Sequence, residues 1–249
     1  MALKDMALVQ AGERTNSEGK AVTNRILLTI PDDEYTAIRP HLEYLALERH
    51  NSLHEPNETP RFVYFPNSGL LSLVVVTSDG RTVEAGIVGR EGIVGLASAV
   101  GLSRNPLREV VQIAGDGFKM GIVALQNAVK SMPQLQISLS RYAVLHGLQV
   151  SQTAACNRLH GVKQRLARWL LMAQDRVDAA LLPITHDFLA TMLGTDRPSV
   201  SLAAGALQKR KLIEYTRGAV KIVNRKKLEA AACECYGIIQ HFNGGLGLK

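Results

Sequence analysis

The sequence predicts an α+β chain with an N-terminal jelly-roll-like β-roll domain, one long dimerisation helix and a C-terminal winged helix-turn-helix domain. Three observations carry this expectation. Short β-like runs broken by turn residues fill Leu45 to about Val123. Apolar residues then recur at helical spacing from Pro133 to His160. Two short capped helices and an alternating hairpin occupy residues 183–223. The chain has 249 residues, 46% of them apolar and 20% charged, which suits two ordinary globular domains. The expected division is a flexible tail over 1–24, the β-roll over 25–132, the dimerisation helix over 133–160 and the winged domain over 161–249.

In the β-roll, the runs Phe62–Phe65, Leu70–Thr77, Thr82–Val88 and Glu109–Ile113 read as strands, and Ser78-Asp79-Gly80 between two of them reads as a hairpin turn. Glycines punctuate the same stretch, as tight corners require. The long helix offers Leu135, Leu139, Tyr142, Leu145, His146, Leu148, Gln149 and Gln152 as a seam toward a second copy, because the helix exceeds what a small barrel needs for packing. An intramolecular core helix is the alternative. Gly161 then interrupts the helical pattern and is a candidate hinge.

Beyond it, Leu166, Trp169, Leu170 and Ala173 mark another amphipathic helix. Thr185 can cap a helix ending near Leu193, Gly194 supplies a left-handed turn, and Asp196 caps a second helix with Pro198 in its first turn. Ala190 suits a close helix crossing, with Leu193 and Val200 filling the core between. Leu212–Thr216 and Ala219–Val223, around Arg217-Gly218, read as a wing.

Charge placement points to a polyanion. Of the chain's net +7, the stretch Lys163–Lys227 holds 13 basic residues against five acidic ones, leaving the remainder near neutral. Double-stranded DNA is the expected partner. Arg197, at the start of the second helix, can pair with guanine in the major groove. Ser199 and Ser201 can reach phosphate or base edges, Thr185 and His186 can bond phosphate, and Lys209, Lys211 and Arg217 are expected at phosphates.

Enzymatic chemistry is not expected. His41, His50 and His54 with Glu48 and Glu55 are the clustered candidate ligands, but no histidine follows until His146 to complete a facial triad, so these histidines read as solvated. The odd count of three cysteines fits no disulfide framework. Cys233-x-Cys235 is a weak metal hint, set aside because residues two apart on a helix face different ways. No cofactor and no metal site are assigned. No run reaches about 18 apolar residues, and the first 20 residues hold no signal core, so a cytoplasmic protein without a membrane partner is expected.

The order of these parts resembles the Crp/Fnr family of bacterial regulators. The resemblance rests most on Ile184-Thr185, on Gly194-Thr195-Asp196-Arg197-Pro198-Ser199-Val200 and on Leu207-Gln208-Lys209-Arg210-Lys211-Leu212-Ile213. It implies a cyclic-nucleotide-binding-like β-roll, a homodimer, and Arg197 as the guanine-reading arginine; RNA polymerase and a small-molecule effector are candidate partners. Gly95-Leu96-Ala97 and Pro106-Leu107-Arg108-Glu109 stand where cyclic-AMP binders carry Gly-Glu-Leu and Arg-Ser, so an effector other than cyclic AMP is implied, with Glu84, Leu96 and Arg108 as candidate pocket residues. Pro198 and Leu202 replace a glutamate and a second arginine, which implies a different operator. No cysteine precedes Cys156 to build the N-terminal iron–sulfur centre of the oxygen-sensing members. A DNA-binding architectural protein without an effector is the rival reading. The segment from Arg225 to about Phe242 lies outside the resemblance.

Overall fold

The computed structural model describes residues 9–177 and 179–245. Helices α1 (Arg25–Thr29) and α2 (Asp32–Ile38) precede strands β1 (Glu43–Leu47), β2 (Ser52–His54), β3 (Phe62–Pro66), β4 (Leu70–Val76) and β5 (Thr82–Val88). Then come α3 (Leu96–Ala99), β6 (Leu107–Ile113), β7 (Gly115–Gly121), α4 (Ile122–Ser131) and the long α5 (Pro133–Leu159). The C-terminal part contains α6 (Val162–Val177), β8 (Leu181–Leu182), α7 (His186–Leu193), α8 (Arg197–Lys209), β9 (Ile213–Thr216), β10 (Ala219–Ile222), α9 (Arg225–Glu229) and α10 (Cys235–Gly245). Two compact units result. One comprises residues up to 71 with 88–144, the other residues 72–87 with 145 onward, so α5 contributes to both.

In the first unit, β7 lies between β1 and β3, antiparallel to each, and β2 pairs with β6 through an irregularity between Ser52 and His54. Val63, Phe65, Phe118 and Met120 fill its core. The expected strands are present, while β1, β2 and β7 are additional. Strand β7 reads Gly-Asp-Gly-Phe-Lys-Met-Gly, with few β-formers. Its glycines serve close approach: a Cβ on Gly117 would lie 2.5 Å from the Phe65 carbonyl oxygen.

The expected loose tail is corrected over residues 9–24, which pack through polar side chains. Arg14 donates to the Leu27 carbonyl at 2.6 Å, Asn16 to that of Leu42 at 3.1 Å, and Asn24 both caps α1 and donates to Pro66 and Gly92 carbonyls at 2.9 Å. Residues 1–8 lie outside the described residues. Buried Glu34 on α2 accepts from the Gln134 and Leu135 amides at 2.9 and 2.7 Å, satisfying first-turn donors of α5.

Several sequence expectations are revised by burial. His54 is not solvated: it is buried, with one ring nitrogen on Glu109 and the other 2.9 Å from the Phe62 carbonyl. Arg108, a candidate pocket residue, is paired with Glu55 at 2.9 Å. Leu96 is half-buried at the start of α3. On α5, Leu135, Leu139, Tyr142, Leu145 and Gln149 are buried within the single chain, so they face its own interior rather than a second copy. Gln149 donates to the Ile87 carbonyl at 3.2 Å and accepts from Arg176 at 2.8 Å. His146 and Gln152 are half-buried; of the eight seam residues, Leu148 alone is exposed. The outward face of the helix is instead Ile137, Val144 and Leu148 with small residues such as Gly147, Ser151 and Ala154 between.

In the second unit, Thr77 and Arg81 close the β4–β5 turn, with Gly80 at φ +82° as the Asp-Gly signal required. Glu84 on β5 is fully enclosed, accepting from the Ser72 hydroxyl at 2.5 Å and the Trp169 indole N–H at 2.7 Å. Both carboxylate oxygens therefore have protein partners, which corrects the assignment of Glu84 to an effector pocket. Burial pushes its carboxyl up from 4.5 to about 7, against the lowering effect of Ser72, Trp169, Arg168 and Arg176. Because the folded value lies above the unfolded one, stability is full below pH 4.5 and is lost as pH rises through about 7. Glu84→Gln should remove this dependence, so that urea titrations from pH 4.5 to 8 show the wild type losing about 3 kcal/mol relative to the variant.

Candidate nucleic-acid interface

Helix α6 builds the floor of the C-terminal unit. Leu166, Trp169, Leu170 and Ala173 are buried at helical spacing, and the Trp169 ring meets Phe188 of α7 edge-on at 5.9 Å. Arg165 donates to the Leu193 carbonyl at the end of α7, supplying a cation where the helix leaves acceptors unsatisfied.

The turn between α7 and α8 follows from three residues. Thr185 caps α7, accepting from the Phe188 amide at 3.2 Å. Gly194 ends it at φ +55°, ψ +47°, a left-handed conformation that glycine takes without Cβ conflict. Asp196 then opens α8, accepting from the Ser199 amide at 2.7 Å and the Ser199 hydroxyl at 2.9 Å. These bonds hold its carboxyl below the usual range. Val200, Ala203, Ala204 and Leu207 turn inward, leaving Arg197, Pro198, Ser201, Leu202 and Gly205 on the outward face.

Arg197 projects from the first turn of α8, 65% exposed, and sits 3.3 Å from Asp187 of α7. Ser201 lies one turn further, 3.0 Å from the Nδ1 of His186. The His186 ring stacks on Tyr215 of β9 at 3.9 Å, so one imidazole joins α7, α8 and the wing. Burial, and then Arg197, lower the His186 pKa, favouring the neutral ring. The wing is antiparallel, with Ala219 opposite Thr216, and β8 pairs on the far side of β10. Gly218 at φ +83° sets its tip beside exposed Arg217. Lys209, Arg210 and Lys211 are exposed at the end of α8, Lys211 at φ +56°.

Residues 164–231 match the family model of the Crp-like helix-turn-helix domain. The chain carries a Crp-like helix-turn-helix domain. Its fold is also that of solved Crp/Fnr-type regulators. FixK2 from Bradyrhizobium japonicum aligns over 77% of this chain and 98% of its own, at 16% identity and TM-score 0.67. A Crp/Fnr-family transcriptional regulator from Thermus thermophilus aligns over 76% and 98%, at 20% identity and TM-score 0.64. CLP, the c-di-GMP-responsive global regulator of Xanthomonas campestris, aligns over 77% and 99%, at 16% identity and TM-score 0.64. No curated protein matches the sequence significantly. Among the described residues no helix is long and apolar enough to cross a membrane.

Within the Crp-like domain the sequence-derived residues are brought together unevenly. Arg197, Ser201 and His186 cluster at the outward start of α8, while Ser199 spends its hydroxyl on the Asp196 cap. The basic surface is smaller than the sequence count suggests. Arg165, Arg168 and Arg176 are buried, and Arg225 is held by Asp175 at 2.6 Å and Glu229 at 3.0 Å. The 77%-exposed Leu202 lies on this face, and so does Tyr215, which was not assigned to it from sequence. Gly161, the candidate hinge, has open space where a Cβ would stand.

Replacing Gly194 tests the turn. A Cβ there would sit 3.0 Å from Val83 Cγ2, in addition to the left-handed backbone. Gly194→Ala should cost about 1 kcal/mol in urea unfolding, and Gly194→Asn should cost less because asparagine tolerates that conformation better.

Proposed function

We propose that this chain is a sequence-specific DNA-binding transcription regulator of the Crp/Fnr type, acting as a cytoplasmic homodimer on a pseudo-palindromic operator. The observation that carries the reading is the exposed first turn of α8, with Arg197 free of any buried role. A guanidinium so placed can donate two parallel hydrogen bonds to guanine O6 and N7 in the major groove. Leu202, five residues on, offers an apolar contact to a thymine methyl group. Lys209, Lys211 and Arg217 flank the face as phosphate contacts.

Dimerisation uses the outward stripe Ile137, Val144 and Leu148 of α5, whose small neighbours let two helices approach closely. A two-fold pair would set its recognition helices about 34 Å apart, one turn of DNA. Gly161 is the hinge between the long helix and the winged domain. Any effector is a small molecule other than cyclic AMP, because Gly95-Leu96-Ala97 and Pro106-Leu107-Arg108-Glu109 replace the residues that would hold it and Arg108 is paired with Glu55, and RNA polymerase is the downstream partner. A non-enzymatic role fits the histidine and carboxylate of the first unit, His54 and Glu109, which satisfy each other.

Two measurements check this reading. Arg197→Ala should weaken operator binding by about 1–3 kcal/mol and relax preference at one base of each half-site, read by fluorescence anisotropy on operators selected from a random pool. An equal loss on every sequence would make it a phosphate contact only. Val144→Glu should convert the dimer to monomer at micromolar concentration by light scattering, with the circular dichroism of the wild type retained.

A further inference from the structure

The three cysteines converge on one histidine. Cys156 lies on the last turns of α5, and His160 follows one helical turn later, at the spacing that brings two side chains onto one face. Cys233 and Cys235 come from the turn into α10. The helix begins only at Cys235, so the argument that a Cys-x-Cys pair must diverge on a helix does not apply. One ligand atom from each of the four residues can be chosen so that all lie within 4.8 Å of one another. Cys156, Cys233 and Cys235 are buried, and they form an apolar cluster of their own.

We propose that Cys156, His160, Cys233 and Cys235 form a tetrahedral site for a single zinc ion, which clips the C-terminal helix α10 to the end of α5. Zinc with bonds of about 2.3 Å to sulfur and about 2.0 Å to nitrogen has tetrahedral edges of about 3.8 Å between sulfurs and about 3.5 Å between sulfur and nitrogen. The Cys156 and Cys233 sulfurs are 3.4 Å apart, and the Cys235 sulfur is 3.6 Å from His160 Nδ1. The separation of 3.4 Å is far longer than a disulfide bond of about 2.05 Å. An iron–sulfur cluster places several irons and sulfides between its ligands and spreads them more widely.

The surroundings are those of a metal centre. His160 Nε2 lies 3.2 Å from the Glu234 carboxylate, which fixes the ring with Nδ1 toward the sulfurs, as carboxylate partners of zinc-bound histidines do. Gln152 donates to the Cys235 sulfur at 3.1 Å. Zinc with three thiolates and a neutral imidazole carries one net negative charge, and the buried Arg165 and Arg168 both interact electrostatically with Cys156, in the sense that favours that charge. Loading releases up to three protons, one from each thiol. Cys233 and Cys235 stand just beyond the Crp-like domain, which ends at residue 231. The site thus gives the additional helix a role that the domain match leaves unaccounted for, and it stands independently of DNA binding.

Elemental analysis of the full-length protein, expressed with zinc and purified under reducing conditions, should find about one zinc per chain. Cys156→Ser and Cys235→Ser should lose it, while His160→Cys, which supplies a fourth thiolate, should keep it. Because a serine variant can fail to fold, cobalt titration of chelator-stripped wild type provides a second readout: one equivalent should produce the visible bands of a tetrahedral thiolate complex and raise the melting temperature. Three freely reactive thiols without zinc, a Cys156–Cys233 disulfide in freshly purified protein, or stoichiometric iron in place of zinc would each overturn the proposal.

Discussion

The arrangement of the C-terminal unit depends on one backbone reversal, the left-handed step at Gly194. With the chain turned there, Asp196 caps the next helix, and the register of α8 follows: Val200, Ala203, Ala204 and Leu207 point inward, and Arg197 points to solvent. A side chain carrying a Cβ at residue 194 would meet both the conformational penalty and the Val83 methyl. The placement of a surface arginine is therefore decided by the residue type three positions earlier.

Much of this unit was legible in the sequence because its signals are local. Thr185, Gly194, Asp196 and Pro198 each act on backbone within a few residues, and the wing is announced by alternation around Arg217-Gly218. The first unit was legible only where strands are rich in β-formers. Strand β7 was missed because close packing against its neighbours demands glycine. The ordering of residues 9–24 was missed because it rests on Arg14, Asn16, Asn24 and Asn67 bonding to distant carbonyls and amides, which leaves no apolar period to count.

Charge was the least transparent quantity. A run of basic residues pointed to a polyanion partner, yet Arg165, Arg168 and Arg176, which count toward it, are interior cross-links from α6 to neighbouring helices. Arginine suits that work because its planar fork satisfies several acceptors at once, and composition cannot separate such a residue from one that faces solvent. Glu84 is the acidic counterpart, a carboxyl that the fold encloses beside Ser72 and Trp169. The Cys233-x-Cys235 hint was set aside for a related reason: Cys156 and Cys233, 77 residues apart in the chain, become neighbours only in three dimensions.

The carboxylate of Glu34 closes the first turn of α5 from a different helix, through two backbone amides rather than through side-chain packing. Hydrogen bonds to main-chain donors at a helix start cannot slide as an apolar contact can, because each is directional and close to its optimum length. Helices α2 and α5 are therefore pinned to one another in register as well as in distance, with Glu34 as the joint.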